Sequence, residues 1–254
     1  LFLIVKKYCL LMGFQVELEY KKNSNIPFLS SYFFIKNIAR TFSIVFLTIL
    51  GKVFSKKKSL NNKSSLILIT TNILRGNLQE YTETNYIDRC YPNLYSYLDN
   101  EIKNKLFYVP SFPGGPSNCI KLFKKLRHSE INFLLKGDFL HFSDYIYAFS
   151  SSLKVLFMDI PKTIFCEVDI SSIIKSELRL FVLDYKIIEA LLNYRFVYRL
   201  HQDNLDVSSF IDWHENHLSS KGFMLGFNKF MPNVKTVGYR GIIDSGANKI
   251  NLNP

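Results

Sequence analysis

From Leu66 onward, short apolar runs alternate with longer stretches that have helical periodicity. Strands that alternate with helices pair in parallel through right-handed crossovers, and helices then cover both faces of the sheet. The pattern therefore predicts an α/β fold with a Rossmann-like parallel sheet. The predicted strands are Leu66–Thr70, Leu106–Val109, Ile131–Leu135, Ser208–Ile211 and Val234–Gly238, and the predicted helices are Asn93–Lys103, Asn118–Arg127, Phe142–Phe157, Ser176–Tyr198 and Leu218–Phe230.

Positive charge is concentrated at the beginning of the chain. The first 64 residues hold 11 Lys or Arg and 2 Asp or Glu, a net of 11 − 2 = +9, and the remaining residues hold 21 and 19, a net of 21 − 19 = +2. This asymmetry favours an anionic partner, either nucleic acid or an anionic lipid surface. A codon-biased genome rich in Lys, Asn, Ile, Phe and Tyr explains the total charge, but it does not explain why the charge is crowded at one end.

The most membrane-like segment is Ser31–Phe54. Its uncharged centre, Thr41–Gly51, has 11 residues with cationic side chains on either side, which is short of the roughly 20 residues that a spanning helix needs. We expect an interfacial helix whose apolar side lies in the acyl boundary, preceding the sheet as a basic, hydrophobic helical segment. A core helix of the soluble fold and a tilted spanning helix remain as alternatives. Residues 1–64 are expected to be a basic, membrane-associating region, and residues 65–254 the Rossmann-like domain.

The cysteine spacing bears on location. The chain has 4 cysteines and no Cys-x-x-Cys pair, which argues against a zinc site and against a disulfide framework. We expect a cytoplasmic protein that is peripheral to the inner face of the plasma membrane.

The stretch Asp212–His217 directly follows a predicted strand, and ligands of open parallel sheets bind outside the carboxyl ends of the strands. Glu215 precedes the next predicted helix, whose positive end favours the ionised carboxylate. We expect Glu215 to act as a general base or to position an acceptor. A zinc peptidase needs His-Glu-x-x-His, and the spacing from His214 to His217 is one residue short. A structural role, in which Asn216 caps the helix, is the alternative.

Two stretches resemble a known family. WHENHLSSKGFMLGFNKFMPNVKTVGYRG, from Trp213 to Gly241, resembles the Trp/Tyr-x-Glu-Asn…Lys-Gly…Gly…Val-x-Gly-Tyr-x-Gly pattern of surface-carbohydrate (lipopolysaccharide and capsule) biosynthesis proteins of GT-B glycosyltransferase type. IDRCYPNLYSYL, Ile87–Leu98, is similar to their Asp-Arg…Leu…Tyr-Leu segment, and the resemblance extends over Leu66–Pro254. The positions that match the pattern are Trp213, Glu215, Asn216, Lys221, Gly222, Gly226 and Gly241, while His217 stands where the family often has Gln.

The resemblance implies a fold, a reaction and a set of site residues. In GT-B enzymes two Rossmann-like domains face each other, and the first typically receives the acceptor while the second holds most contacts to the nucleotide-sugar. This chain is then expected to be the N-terminal half of a GT-B fold, truncated before the nucleotide-sugar domain. No cofactor is expected in the chain itself, and the nucleotide-sugar donor is expected in the missing C-terminal domain. The expected substrate-binding residues around the catalytic Glu215 are Trp213, His214, Asn216, His217, Lys221 and Gly241.

Two further loops are candidates for ligand binding. Gly114 and Gly115 lie in a Pro-Gly-Gly-Pro turn, where a ligand can approach backbone amides closely, although the flanking prolines favour a plain tight turn. Asp88 and Arg89 either bind a sugar hydroxyl or a lipid diphosphate, or pair with each other. The sequence has no Asp-x-Asp pair, Walker loop or Gly-x-Gly-x-x-Gly motif, so we expect no metal site.

These observations lead to one expected function and two rivals. We expect glycosyl transfer from a nucleotide-sugar to a lipid-linked acceptor in bacterial surface polysaccharide biosynthesis, with Glu215 accepting the proton of the attacking hydroxyl. The expected partners are an anionic membrane surface and the lipid-linked saccharide acceptor. The first rival is a non-catalytic membrane or assembly protein that retains a degenerate transferase fold. Nucleic-acid binding is disfavoured because Ser31–Phe54 is aromatic and apolar.

Overall fold

A computed structural model describes most of the chain from residue 65 to residue 239 and part of a preceding helical segment. The described residues are 35, 38–43, 45–46, 48–50, 52, 65–73, 91, 94–112, 119–129, 131–165, 168–180, 182, 184–213 and 217–239. In chain order the elements are β1 (Leu66–Asn72), α1 (Leu94–Tyr97), α2 (Asn100–Lys105), β2 (Leu106–Ser111), α3 (Cys119–His128), α4 (Phe142–Lys154), β3 (Ile164–Phe165), β4 (Val168–Asp169), α5 (Ser171–Leu180), α6 (Tyr185–Gln202), β5 (Val207–Trp213), α7 (Leu218–Phe230) and β6 (Lys235–Tyr239), with 3₁₀ turns at Lys136–Asp138 and Val155–Phe157.

The main sheet has four parallel strands in the order β2-β1-β5-β6. This confirms the predicted α/β fold with a Rossmann-like parallel sheet. Where we predicted a strand at Ile131–Leu135, the chain instead runs beside β2 through a single parallel bridge between Tyr108 and Phe133. The amide of Tyr108 donates to the Asn132 carbonyl at 2.9 Å, and the amide of Leu134 donates to the Tyr108 carbonyl at 2.8 Å.

The strands bury side chains on both faces of the sheet, as the apolar run LILIT predicts. Leu66 and Leu68 lie in one core cluster, which also takes in Phe196 from α6 and Phe223 from α7. Ile69 lies in a second cluster, together with residues of β2 and α3. Alternation along β1 therefore divides its side chains between two layers of helices.

Two of the predicted helices are each interrupted by an aspartate that begins a new helix. The prediction of one helix over Ser176–Tyr198 is wrong: α5 ends at Leu180 and α6 begins at Tyr185, where the side chain of Asp184 accepts a 2.8 Å hydrogen bond from the Lys186 amide. Asp99 divides the predicted Asn93–Lys103 helix into α1 and α2 in the same way, accepting from the Ile102 amide at 2.8 Å. Carboxylates at N-cap positions satisfy amides that a continuing helix would otherwise bond.

The described residues between 35 and 52 are helical and pack against the sheet domain. Val45 contacts the first core cluster and Leu50 contacts the second. A side chain added at Gly137 would overlap the Thr48 carbonyl oxygen, so the backbones approach closely at that point. One side of this segment therefore packs as a helix of the domain core, which was one of the alternatives to an interfacial helix in the sequence analysis. Within the part of the chain that the structure describes, no helix is both long enough and apolar enough to cross a bilayer.

Candidate functional site

The carboxyl edge of the sheet has a topological switch point between β1 and β5. After β1 the chain continues to β2 on one side, and it later returns to β5 on the other side of β1. Connections that leave in opposite directions open a crevice at the carboxyl ends of the two strands, and open α/β sheets bind ligands there. Trp213, which the sequence analysis placed just after the strand, is the last residue of β5 and therefore lies at this edge of the sheet.

A hydrogen-bonded pair joins the two central strands at this edge. The hydroxyl of Thr70 on β1 donates to Oδ1 of Asp212 on β5 at 2.6 Å, and the oxygen of that hydroxyl accepts from the Trp213 amide at 3.2 Å. Asp212 is buried, so the bond lies in a region of low dielectric, where hydrogen bonds are stronger than in water. Neither Thr70 nor Asp212 was among our predicted site residues, although Asp212 opens the stretch that we singled out.

Three aromatic rings meet next to this pair. Trp213 and Tyr239 are register partners on β5 and β6, with ring centroids 5.5 Å apart. Tyr91 packs edge-on against Trp213 at 6.0 Å and lies 5.3 Å from Tyr239. Tyr91 is buried whereas Tyr239 is 44% exposed. The group therefore has a fixed inner ring and an accessible outer ring, a combination that suits stacking against the apolar face of a sugar.

Helix α7 begins a few residues after Trp213 and directs its positive end toward the same edge. Its N-cap residue is His217, which makes no side-chain capping hydrogen bond. Asn216, which the alternative interpretation makes the capping residue, lies outside the described residues, so that interpretation stays a prediction. Lys221 lies on the first turn, is exposed, and its amide donates to the His217 carbonyl at 3.3 Å. An exposed cation near a helix N-terminus is suited to an anionic or hydroxyl-rich ligand.

The predicted site residues divide into two groups. Trp213, His217 and Lys221 are described, and they share the carboxyl end of β5 and the first turn of α7. The others lie outside the described residues, and their roles stay predictions: Asp88, Arg89, Gly114, Gly115, His214, Glu215, Asn216 and Gly241.

The glycines of α7 that match the family pattern have a packing role. A side chain at Gly222 would overlap the backbone carbonyl of Ala190 on α6, and one at Gly226 would come within 2.8 Å of the Val197 side chain. With a spacing of four residues, the two glycines lie on one face of α7 and let α6 approach closely. They position the start of α7, and hence Lys221, relative to the sheet.

A largely buried lysine also ties α7 to the rest of the domain. Lys136 follows the segment beside β2, and its Nζ donates to Asn193 Oδ1 at 2.8 Å and lies 3.6 Å from Glu189 Oε1. Asn193 in turn donates to the Ser219 carbonyl in the first turn of α7 at 3.1 Å. Burial lowers the pKa of Lys136, and the charge and hydrogen bond of Glu189 only partly oppose this. Sequence reasoning missed this cluster because its members lie on three separate elements.

No group of three or more His, Cys, Asp or Glu that could hold a metal ion occurs among the described residues. Comparisons of the chain with protein-family models, with curated proteins and with solved structures found no match.

Proposed function

We propose that this chain is the acceptor-side domain of a glycosyltransferase, which transfers a sugar from a nucleotide-sugar to a lipid-linked acceptor in bacterial surface polysaccharide synthesis. The observation that carries the proposal is the aromatic group of Tyr91, Trp213 and Tyr239 at the carboxyl edge of a Rossmann-like parallel sheet. It combines an accessible ring for a saccharide with the crevice in which sheets of this kind bind their ligands.

The local chemistry supports binding of a polar, hydroxyl-rich ligand. Tyr239 supplies an exposed aromatic face, and Lys221 supplies an exposed cation on the first turn of α7. Asp212 and Thr70 hold the end of β5 against β1, so that Trp213 has a defined backbone position. A saccharide that stacks on the outer ring would have the positive end of α7 beside it.

The proposed reaction uses Glu215, which follows Trp213 by two residues. The acceptor hydroxyl attacks the anomeric carbon of the donor and a new carbon–oxygen bond forms there. The bond from that carbon to the nucleotide diphosphate breaks, and its electron pair leaves with the diphosphate. The Glu215 carboxylate takes the proton of the attacking hydroxyl as a general base. The second domain of the proposed GT-B fold would hold the donor.

The first test is of donor binding and of the base. The full-length protein is expected to be protected against thermal unfolding by one class of nucleotide-sugar, because a ligand that binds only the folded state stabilises it. Glu215→Gln is expected to abolish transfer and to leave the unfolding transition unchanged. Glu101→Gln is the matched control, since Glu101 is exposed on α2 and pairs with Lys105 four residues away. Near-normal transfer by Glu215→Gln would refute the base assignment.

A second test addresses the aromatic group. Tyr239→Ala is expected to raise KM for the saccharide acceptor about tenfold, with a much smaller change in kcat, because ring contacts of this kind contribute up to about 1.5 kcal/mol. Tyr97→Ala is the control, since Tyr97 is highly exposed on α1. If neither variant changes KM and no nucleotide-sugar protects the folded full-length protein, the non-catalytic rival becomes the better account.

A further inference from the structure

Two neighbouring helices expose apolar side chains on the same side of the molecule. From the N-terminal segment these are Phe42, Phe46 and Ile49, and from α4 they are Phe142, Ile146 and Leu153. We refer to these six residues as the apolar face. Within each helix their spacing is three, four or seven residues, which places them along one side of the helix.

The two helices lie side by side and run in opposite directions. The ring of Phe42 lies 6.3 Å from that of Phe149 in the middle of α4, whereas Nζ of Lys52 donates to the carbonyl of Leu140, just before α4, at 3.3 Å. The start of one helix is therefore near the later part of the other. Phe149 is partly buried against the first core cluster, so the Phe42–Phe149 contact lies where the two helices meet, between the two apolar stripes.

The outward orientation of α4 is held by its buried side. Asp144 is fully buried and accepts hydrogen bonds from Arg195 Nε at 2.7 Å and from Arg199 Nε at 2.8 Å, both on α6. Turning α4 to bury Phe142 and Ile146 would withdraw this carboxylate from two cations, and breaking a buried ion pair is strongly unfavourable. The exposure of the apolar face is thus a consequence of how α4 is anchored.

Further apolar side chains are exposed after the end of α4. Phe157 is 84% exposed and Met158 follows it, and the short β3–β4 hairpin exposes Ile164 and Phe165. Clustered exposed apolar side chains such as those of the apolar face mark a surface that binds another molecule or a membrane.

The positive charge near this surface favours an anionic partner. Between Glu19 and Glu80 the chain has 10 Lys or Arg and no Asp or Glu. Because the two helices are antiparallel, the exposed Arg40 and Lys154 lie at one end of the apolar face, and the exposed Lys52 lies at the other end, where it contacts the Leu140 carbonyl. A surface that is apolar in the middle and cationic at its margins complements an anionic bilayer, which offers phosphates outside and acyl chains beneath. A second copy of a chain with net charge +11 would instead bring like charges together.

We propose that the apolar face is a membrane-docking surface, which seats the two helices in the plane of an anionic bilayer without crossing it. The inference rests on the proposed function and deepens it, because a lipid-linked acceptor requires the domain to work at a membrane. It differs from the sequence-based expectation in that α4 contributes half of the surface, while the inner side of the N-terminal segment packs on the domain.

The experiment measures binding of the full chain to vesicles. Binding is expected to vesicles of phosphatidylcholine and phosphatidylglycerol in equal parts, and to be much weaker with phosphatidylcholine alone. The double variant Phe46→Ser/Ile146→Ser removes two side chains that are 51% and 55% exposed, and it should weaken binding at least about tenfold. Leu225→Ser is the matched control, because Leu225 is 63% exposed on α7, away from the apolar face.

The other outcomes either support docking or refute it. Unchanged vesicle binding by the double variant, with its folding confirmed by an unchanged Tm, would overturn the proposal. It would also be overturned if the chain ignores vesicles and forms a dimer that the double variant dissociates, since the face would then be a self-association surface. Glu215→Gln should keep full vesicle binding, so a failure of the transferase chemistry is distinguishable from a failure of docking. Transfer to a water-soluble acceptor without any vesicle binding would refute docking alone.

Discussion

The hydroxyl of Thr70 donates a 2.6 Å hydrogen bond to Oδ1 of Asp212, and so connects the carboxyl ends of the two central parallel strands. The same hydroxyl oxygen accepts from the amide of Trp213. One small side chain on β1 therefore fixes both a buried carboxylate and the backbone of the aromatic residue at the candidate site.

Thr70→Val is expected to lower the free energy of unfolding by about 1–3 kcal/mol, because it deprives a buried carboxylate of one donor while keeping the volume of the side chain. Chemical denaturation with the linear extrapolation measures the change. Thr70→Ser retains the hydroxyl, so it should lower the free energy of unfolding clearly less than Thr70→Val does. Equal losses in the two variants would mean that the methyl group, and not the hydrogen bond, stabilises this edge.

Asp144→Asn is expected to destabilise the protein by about 3–5 kcal/mol, because it leaves Arg195 and Arg199 close together without the buried carboxylate between them. Asp159→Asn is the control, since Asp159 is exposed in the loop after α4. The thermal midpoint of both variants measures the difference, and similar midpoints would show that the paired arginines find another anion.

The same aspartate predicts a dependence on pH. Burial by itself raises the pKa of Asp144, but hydrogen bonds from Arg199, from the His141 amide and from Arg195 outweigh it and lower the pKa below its ordinary value of 3.8. Its stabilisation is therefore fully present above pH 3.8 and is lost as the pH falls through the lower value of the folded state. As the pH falls through this acid range, the free energy of unfolding of the wild type should fall more steeply than that of Asp144→Asn. Chemical denaturation at a series of pH values measures both curves, and parallel curves would mean that Asp144 is not the group that titrates.

Gly222→Ala is expected to destabilise the protein by about 1–3 kcal/mol or more, because the added methyl group overlaps the backbone carbonyl of Ala190 and α7 must move away from α6. Asn228→Ala, on the exposed side of α7, should be nearly neutral. Denaturant midpoints compare the two. A neutral Gly222→Ala would show that the helices separate at little cost.

Lys136 and Glu189 should be energetically coupled, since their charged atoms lie 3.6 Å apart and both side chains are largely buried. A double-mutant cycle of Lys136→Met and Glu189→Gln measures this coupling. We expect the summed losses in free energy of unfolding of the two single variants to exceed the loss of the double variant, with a coupling energy of about 0.5–3 kcal/mol. Additive losses would mean that the hydrogen bond from Lys136 to Asn193, and not the ion pair, is the main contribution of the lysine.

Local pattern predicted much of the fold. The strand at LILIT, the strand before Trp213 and the helix Leu218–Phe230 were all located from apolar runs and helical spacing, because each depends mainly on its own residues. The prediction failed where a side chain interrupts a helix. Asp184 lies within a stretch that otherwise has helical character, and only its bond to the Lys186 amide shows that a second helix begins there.

The candidate site shows the same division. The proximity of Trp213, His217 and Lys221 follows from their spacing along one strand–helix junction, so the sequence was enough to predict it. Thr70 and Asp212 are 142 residues apart, and their contact depends on the register of β1 against β5. Register is set by packing across the whole sheet, which no single segment encodes.

By itself the sequence determined the class of the fold, the course of the parallel strands and the strand end at which a ligand site is expected, because periodicity and burial are properties of short segments. The tertiary structure decided which groups meet there and which surfaces stay open. It brought Tyr91 and Tyr239 to Trp213, largely buried Lys136 against α6 and turned apolar residues of α4 outward. Contacts of this kind arise between elements distant in the chain, and only the packing of those elements against one another defines them.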